Sequence, residues 1–153
     1  TNLVPIERTG SLRKSLRWAG HYIKQGHNIL IFPEGTRSMT GEIQEFKATI
    51  GYLALNFKIG LLPIYLHGTH DVLPKGTVLL KGREVGARIG PFVSVEELEK
   101  LAEGLPKSDA YRLIAVTIQH MVENLRDGLP CRLDIEEVRR KWKSEPRLEV
   151  ATF

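Results

Sequence analysis

The stretch Asn28-Ile29-Leu30-Ile31-Phe32-Pro33-Glu34-Gly35-Thr36-Arg37-Ser38 joins a short apolar run to a turn that carries a carboxylate and a guanidinium. The run 28–32 is rich in β-branched and aromatic side chains and bounded by Gly26 and Pro33, the pattern of a fully buried strand. Pro33 and Gly35 then turn the chain at the strand's end. Arg37 is delivered just beyond that end, which is where open α/β sheets hold their ligands. Its guanidinium is permanently charged and planar, so it grips two phosphate oxygens at once, where a lysine supplies a point charge. Glu34 cannot bind phosphate. Its roles are to hold Arg37 or to accept a hydrogen bond from a ligand alcohol. Gly35 allows close backbone approach or a φ that other residues avoid, and Thr36 and Ser38 add hydroxyl donors. The turn reads either as a site for a phosphorylated ligand or as a surface bend with a solvated Glu and Arg.

Outward from the turn, helical and extended patterns alternate. Leu12, Leu16, Ala19 and Ile23 recur at helical spacing over 11–25, with Arg13, Lys14, Arg17 and Lys24 on other faces, Ser11 as N-cap and Gly26 as stop. Further helices are expected at 46–57, near 95–103 and at 109–126, and strands at 61–66, 77–80 and 84–89. The last of these helices carries Tyr111, Ile114, Ala115, Ile118, Met121, Val122 and Leu125 as an apolar stripe, expected in the core. Such alternation predicts a layered α/β fold with a mostly parallel or mixed central sheet flanked by helices. Past Gly128-Leu129-Pro130 the composition shifts to a charged helical stretch at 134–143. Two regions are therefore expected: 1–127 as the main domain, and 128–153 as a charged extension of unassigned role.

At 153 residues with 42% hydrophobic content, the chain is long enough for one core. The single cysteine, Cys131, excludes an internal disulfide framework and fits a cytosol-facing domain. Lys plus Arg number 22 against 18 for Asp plus Glu, a net charge of +4. This mild excess favours anionic lipid surfaces or phosphorylated substrates, and no nucleic-acid motif accompanies it. No apolar stretch is long enough to span a bilayer, so membrane contact within the chain is expected to be peripheral. The basic amphipathic segment 11–25 is the candidate for it, although a helix packed on the sheet with a solvated basic face is the simpler reading. His67-Gly68-Thr69-His70-Asp71 places two imidazoles near a carboxylate without the further ligands of a metal site. A turn is expected there, and no metal.

Phe32-Pro33-Glu34-Gly35-Thr36-Arg37-Ser38 resembles, without mismatch, the third motif of the glycerolipid acyltransferases typified by bacterial 1-acylglycerol-3-phosphate acyltransferase. Other pieces agree in order. Ile6-Glu7-Arg8 looks like the second motif, whose arginine also serves the phosphate. The segment from Phe46 and Lys47 to Leu53 and Ala54 is similar to the helix that follows the third motif, with Thr49 in place of the usual glycine. Leu62-Pro63-Ile64 with His67-Gly68-Thr69 looks like the fourth, and Arg83 to Pro91 resembles a late strand, here with Gly90 and Pro91 adjacent. The resemblance covers roughly residues 1–127.

The family's H-x-x-x-x-D motif, whose His is the general base oriented by Asp, has no counterpart. His21, His27, His67, His70 and His120 are followed five positions later by Gly26, Phe32, Val72, Lys75 and Leu125. No catalytic residue is therefore assigned within the chain. The base is expected upstream of Thr1, the alternative being a diverged member that lost it, and the chain as given is expected to be inactive alone. The resemblance implies transfer of a fatty acyl group from acyl-CoA or acyl carrier protein to the free hydroxyl of a lysophosphatidic acid-type acceptor. It implies no cofactor, because thiolate is already a good leaving group. It also implies attachment at the cytoplasmic face of a membrane. Arg8 and Arg37 would bind the phosphate, Glu34 would set the glycerol or Arg37, and Phe32, Pro33, Gly35, Thr36 and Ser38 would shape the substrate-binding turn. Lys47 is either a further phosphate contact or a surface cation. Acylation of glycerol 3-phosphate or another lysophospholipid, or a non-catalytic phosphate- or membrane-binding module, are the alternatives.

Overall fold

A computed structural model describes residues 12–72 and 84–144, and its centre is one long helix. In chain order the elements are α1 (Leu12–Lys24), α2 (Thr49–Phe57), β1 (Ile64–His67), α3 (Thr69–Val72), β2 (Gly86–Ile89), α4 (Val95–Ala102), α5 (Lys107–Asp127) and α6 (Ile135–Ser144).

Helix α5 forms because its apolar residues recur every three or four positions, and Gly128 ends it at φ +70°, donating to the carbonyls of Asn124 and Leu125. Its buried stripe of Leu113, Ile114, Ala115, Ile118, Met121 and Val122 meets Ile50 and Ala54 of α2, Leu98 and Leu101 of α4, and Val93. A fully buried leucine or isoleucine here contributes roughly 1.5–3 kcal/mol relative to exposure. Helices α2 and α5 approach closely at Gly51, where a Cβ would collide with the Tyr111 carbonyl.

Helix α4 begins with a capping box. The Ser94 hydroxyl accepts from Glu97 N at 3.2 Å and the Glu97 carboxylate accepts from Ser94 N at 2.8 Å. Helix α1 stops as expected, with Gly26 at φ +82° and its N–H bonded to the Ile23 carbonyl at 2.9 Å. It packs on α2 through Gly20, which lies against the Phe57 ring too closely to admit a Cβ. The proposed cap Ser11 lies outside the described residues.

The sheet departs from expectation. Among the described residues it has two strands, β1 and β2, paired antiparallel with Ile64 opposite Ile89 and His67 opposite Gly86. It is prolonged by a bridge in which Leu61 and Val93 exchange hydrogen bonds of 2.9 and 2.8 Å. No parallel central sheet is present among these residues; the architecture is mostly helical, with a small antiparallel sheet against α5. The expected strand 77–80 lies outside the described residues.

The run 28–32 is the plainest correction: it forms no strand, and Leu30 and Phe32 are 69% and 62% exposed. Its β-branched, apolar composition fits a buried strand, but a strand is made by the neighbour that takes its N–H and C=O groups. No described segment pairs with 28–32. The other strands shift by a few residues, 61–66 to 64–67 and 84–89 to 86–89.

The charged C-terminal stretch folds as α6 and docks on α4. Leu133, Ile135, Val138 and Trp142 pack against the core. Arg139 donates to the carbonyls of Lys100 and Leu101 at 2.9 Å and of Glu103 at 2.8 Å. They lie at the C-terminal end of α4, where carbonyls lack the N–H four residues on; that of Lys100 also accepts from Glu103 N at 3.3 Å.

Candidate functional site

The turn after the apolar run is built from backbone. Gly35 N donates to the Phe32 carbonyl at 3.1 Å, with Pro33 and Glu34 between them and Gly35 at φ +72°. Proline in the second position and glycine in the fourth suit such a turn, since proline presets φ and glycine takes the left-handed conformation without penalty.

The turn opens a loop that closes on itself. Lys47 N donates to the Pro33 carbonyl at 2.9 Å, and Gln44 N donates to Glu34 Oε2 at 2.9 Å. Glu34 thus spends one carboxylate oxygen on the far side of its own loop, and no Glu34–Arg37 ion pair forms among the described residues. At the loop's crest the Ser38 hydroxyl accepts from Thr40 N at 3.2 Å and from Gly41 N at 2.9 Å. Gly41, at φ +88°, lies beside the His70 ring, so α3 is packed against the same loop.

Phe32, Gly35, Thr36, Arg37 and Lys47 are exposed, and Pro33, Glu34 and Ser38 half-buried. The Arg37 guanidinium makes no hydrogen bond or ion pair with the described residues, and neither does the Lys47 ammonium. Loop closure brings positions 33 and 47 together at the loop's base. Arg8 lies outside the described residues. Two open surface clefts lie elsewhere, one between α4 and α6 beside Arg132 and Asp134, the other beside Phe92, Met121 and Cys131.

Helix α5 also takes part, which its apolar stripe does not announce. Gln119 Oε1 accepts from Phe46 N at 2.9 Å, and Arg126 meets Glu42 Oε2 at 3.3 Å. Hydrogen bonding to Asp127 raises the Arg126 pKa beyond its already high value, with Glu42 adding to the effect, so this cation is permanent. Arg88 of β2 donates to the Leu125 and Arg126 carbonyls, both at 2.8 Å, fixing the end of α5 that carries these groups. The sequence signal for Gln119 is only a polar residue interrupting a buried helical face.

Among the described residues no cluster of His, Cys, Asp and Glu is suited to a metal ion, and no helix is long and apolar enough to cross a membrane.

A sequence model of the family described as Acyltransferase matches residues 1–67. Over that segment, less than half of the chain, the sequence is similar to that family. Over about half its length it is a distant homologue of 1-acyl-sn-glycerol-3-phosphate acyltransferases. That of Borreliella burgdorferi is 31% identical over 78 residues, 51% of this chain and 31% of the relative. That of Cocos nucifera is 28% identical over 78 residues, 51% of this chain and 25% of the relative. The chloroplastic enzyme LPAT1 of Arabidopsis thaliana is 32% identical over 77 residues, 49% of this chain and 22% of the relative. The matched part therefore spans less than a third of each of these relatives. No solved structure matches the chain significantly.

Proposed function

We propose that this chain is the acceptor-binding part of an acyltransferase that esterifies a lysophosphatidic acid-type lipid in phospholipid synthesis. In the reaction the acceptor hydroxyl oxygen forms a bond to the thioester carbonyl carbon of acyl-CoA or acyl carrier protein. The C–S bond breaks, thiolate leaves, and the hydroxyl proton passes to a base that no residue of this chain supplies in the family's spacing. Electrostatic capture of the phosphate holds the hydroxyl in place for attack.

The observation that carries this reading is Arg37 within Phe-Pro-Glu-Gly-Thr-Arg-Ser, at the head of a loop closed by its own backbone, with its guanidinium exposed and uncommitted among the described residues. A planar fork without a partner among the described residues is suited to a phosphate monoester. Lys47, tied by its N–H to Pro33, adds a second cation at the loop's base, and Arg8 is assigned to the same phosphate. Glu34 shapes the turn through Gln44. The protein would act at the cytoplasmic face of a membrane, and the distant homology to 1-acyl-sn-glycerol-3-phosphate acyltransferases supports the choice of acceptor.

The test is steady-state acyl transfer by the full-length protein and its Arg37→Ala variant. Loss of one charge-assisted contact, about 1.5–3 kcal/mol, is expected to raise KM for lysophosphatidate by about tenfold or more with the circular dichroism spectrum unchanged. An unaltered acceptor KM overturns the phosphate role. Faster turnover of glycerol 3-phosphate than of lysophosphatidate would favour the related acceptor, and binding of lysophosphatidate without turnover would favour a non-catalytic module.

A further inference from the structure

We infer that Gln119 of α5 is a positioning residue for the acceptor phosphate, acting through the Phe46 N–H on the loop that presents Arg37; the inference rests on the function proposed above. The loop 33–47 is closed at its base by the Lys47 N to Pro33 carbonyl bond, and Phe46 is the residue immediately before that closure. The Phe46 side chain is buried in the core, and its N–H is taken by Gln119 Oε1 at 2.9 Å. This bond spans 73 residues of sequence and joins the loop to the central helix.

The orientation of the Gln119 amide is determined by its two partners. A backbone N–H can meet only an acceptor, and the Glu123 carboxylate, which receives Gln119 Nε2 at 2.9 Å, can meet only a donor. Glu123, one turn along α5, therefore turns the carbonyl oxygen of Gln119 toward Phe46. The second tie between α5 and the loop, Arg126 to Glu42, is an exposed ion pair, and such pairs restrain weakly in water. The half-buried amide is the stronger restraint. Gln119 lies well beyond the family-matched residues 1–67, so a segment outside the match holds the motif in shape. It touches no substrate; its effect reaches the phosphate through Phe46, the Lys47–Pro33 bond and the turn.

The experiment compares the full-length wild type with Gln119→Met, with the double variant Gln119→Glu and Glu123→Gln, and with Arg37→Ala. Methionine matches the length of Gln119 but offers only a weak thioether acceptor, depriving the Phe46 N–H of its amide partner. It is expected to raise KM for lysophosphatidate about three- to tenfold while KM for the acyl donor stays within twofold. The double variant exchanges donor and acceptor, so that the new carboxylate accepts from Phe46 N and from the new amide at 123. It is expected to return the acceptor KM to within about twofold of wild type. A purely structural role would lower the melting temperature and disturb both KM values together; that result, or failure of the double variant to restore acceptor KM, overturns the inference. If Arg37→Ala raises acceptor KM and Gln119→Met does not, the inference about Gln119 falls alone. If Arg37→Ala has no effect, the proposed function falls and this inference with it.

Discussion

Gly51 of α2 lies so close to Tyr111 of α5 that the Tyr111 carbonyl occupies the space a Cβ would fill. The two helices make the core's central contact, and α2 follows directly on the loop that carries Arg37. Helix separation here is set by the absence of one carbon atom.

Gly51→Ala is therefore expected to push α2 off α5, because the obstructing atoms are backbone and cannot rotate away. Overpacking of this kind costs about 1–3 kcal/mol. Urea denaturation should show a lower midpoint with an unchanged slope; a midpoint equal to wild type would show that the interface has slack that the close approach does not suggest.

Arg139→Met should loosen α6 from α4. It removes three donors from the carbonyls of Lys100, Leu101 and Glu103 while keeping most of the aliphatic stem. Hydrogen bonds from a charged group contribute about 1.5–3 kcal/mol. Amide exchange should quicken at the end of α4 and throughout α6, with α2 little affected. Uniform acceleration across the chain would instead mean that α6 unfolds only with the whole domain.

Burial pushes the Cys131 thiol above its ordinary pKa. The folded chain thus holds this proton more tightly than the unfolded chain does, and stability rises with pH only where the unfolded state binds more protons. The contribution is intact below the unfolded thiol's pKa and is lost as pH climbs through the folded value. As pH rises from the free thiol's range, about 8.5, through the raised folded value, wild type should lose stability more steeply than Cys131→Ala. Iodoacetamide at about pH 8 should alkylate the native thiol more slowly than the urea-unfolded one; equal rates would contradict its burial.

The helices were legible because their information is local. Leu12, Leu16, Ala19 and Ile23 define α1 at 12–24 against an expected 11–25. Of the stripe expected on α5, Ile114, Ala115, Ile118, Met121 and Val122 are buried, while Tyr111 and Leu125 at its ends are half-buried. Ser94 and Glu97, three residues apart, form a capping box for the same reason. The turn at Pro33 and Gly35 could also be read, since proline and glycine restrict or release φ in a way that no tertiary contact is needed to decide.

Strands were less legible because their partners lie elsewhere in the chain. Asn28 to Phe32 has the composition of a buried strand and is an exposed, irregular segment, whereas Ile64 to His67 found Gly86 to Ile89 as an antiparallel neighbour. The role of Glu34 was likewise open between Arg37 and a ligand, and the fold directs one of its oxygens to Gln44 N.

The sequence by itself determined the helical periods, the bend at 33–35 and the similarity of residues 1–67 to the Acyltransferase family, all of which depend on residues near one another in the chain. Only the tertiary structure decided that α5 restrains the loop through Gln119 and that Arg139 completes α4. Hydrogen bonds across tens of residues depend on where folding places each backbone group, and no local pattern encodes that placement.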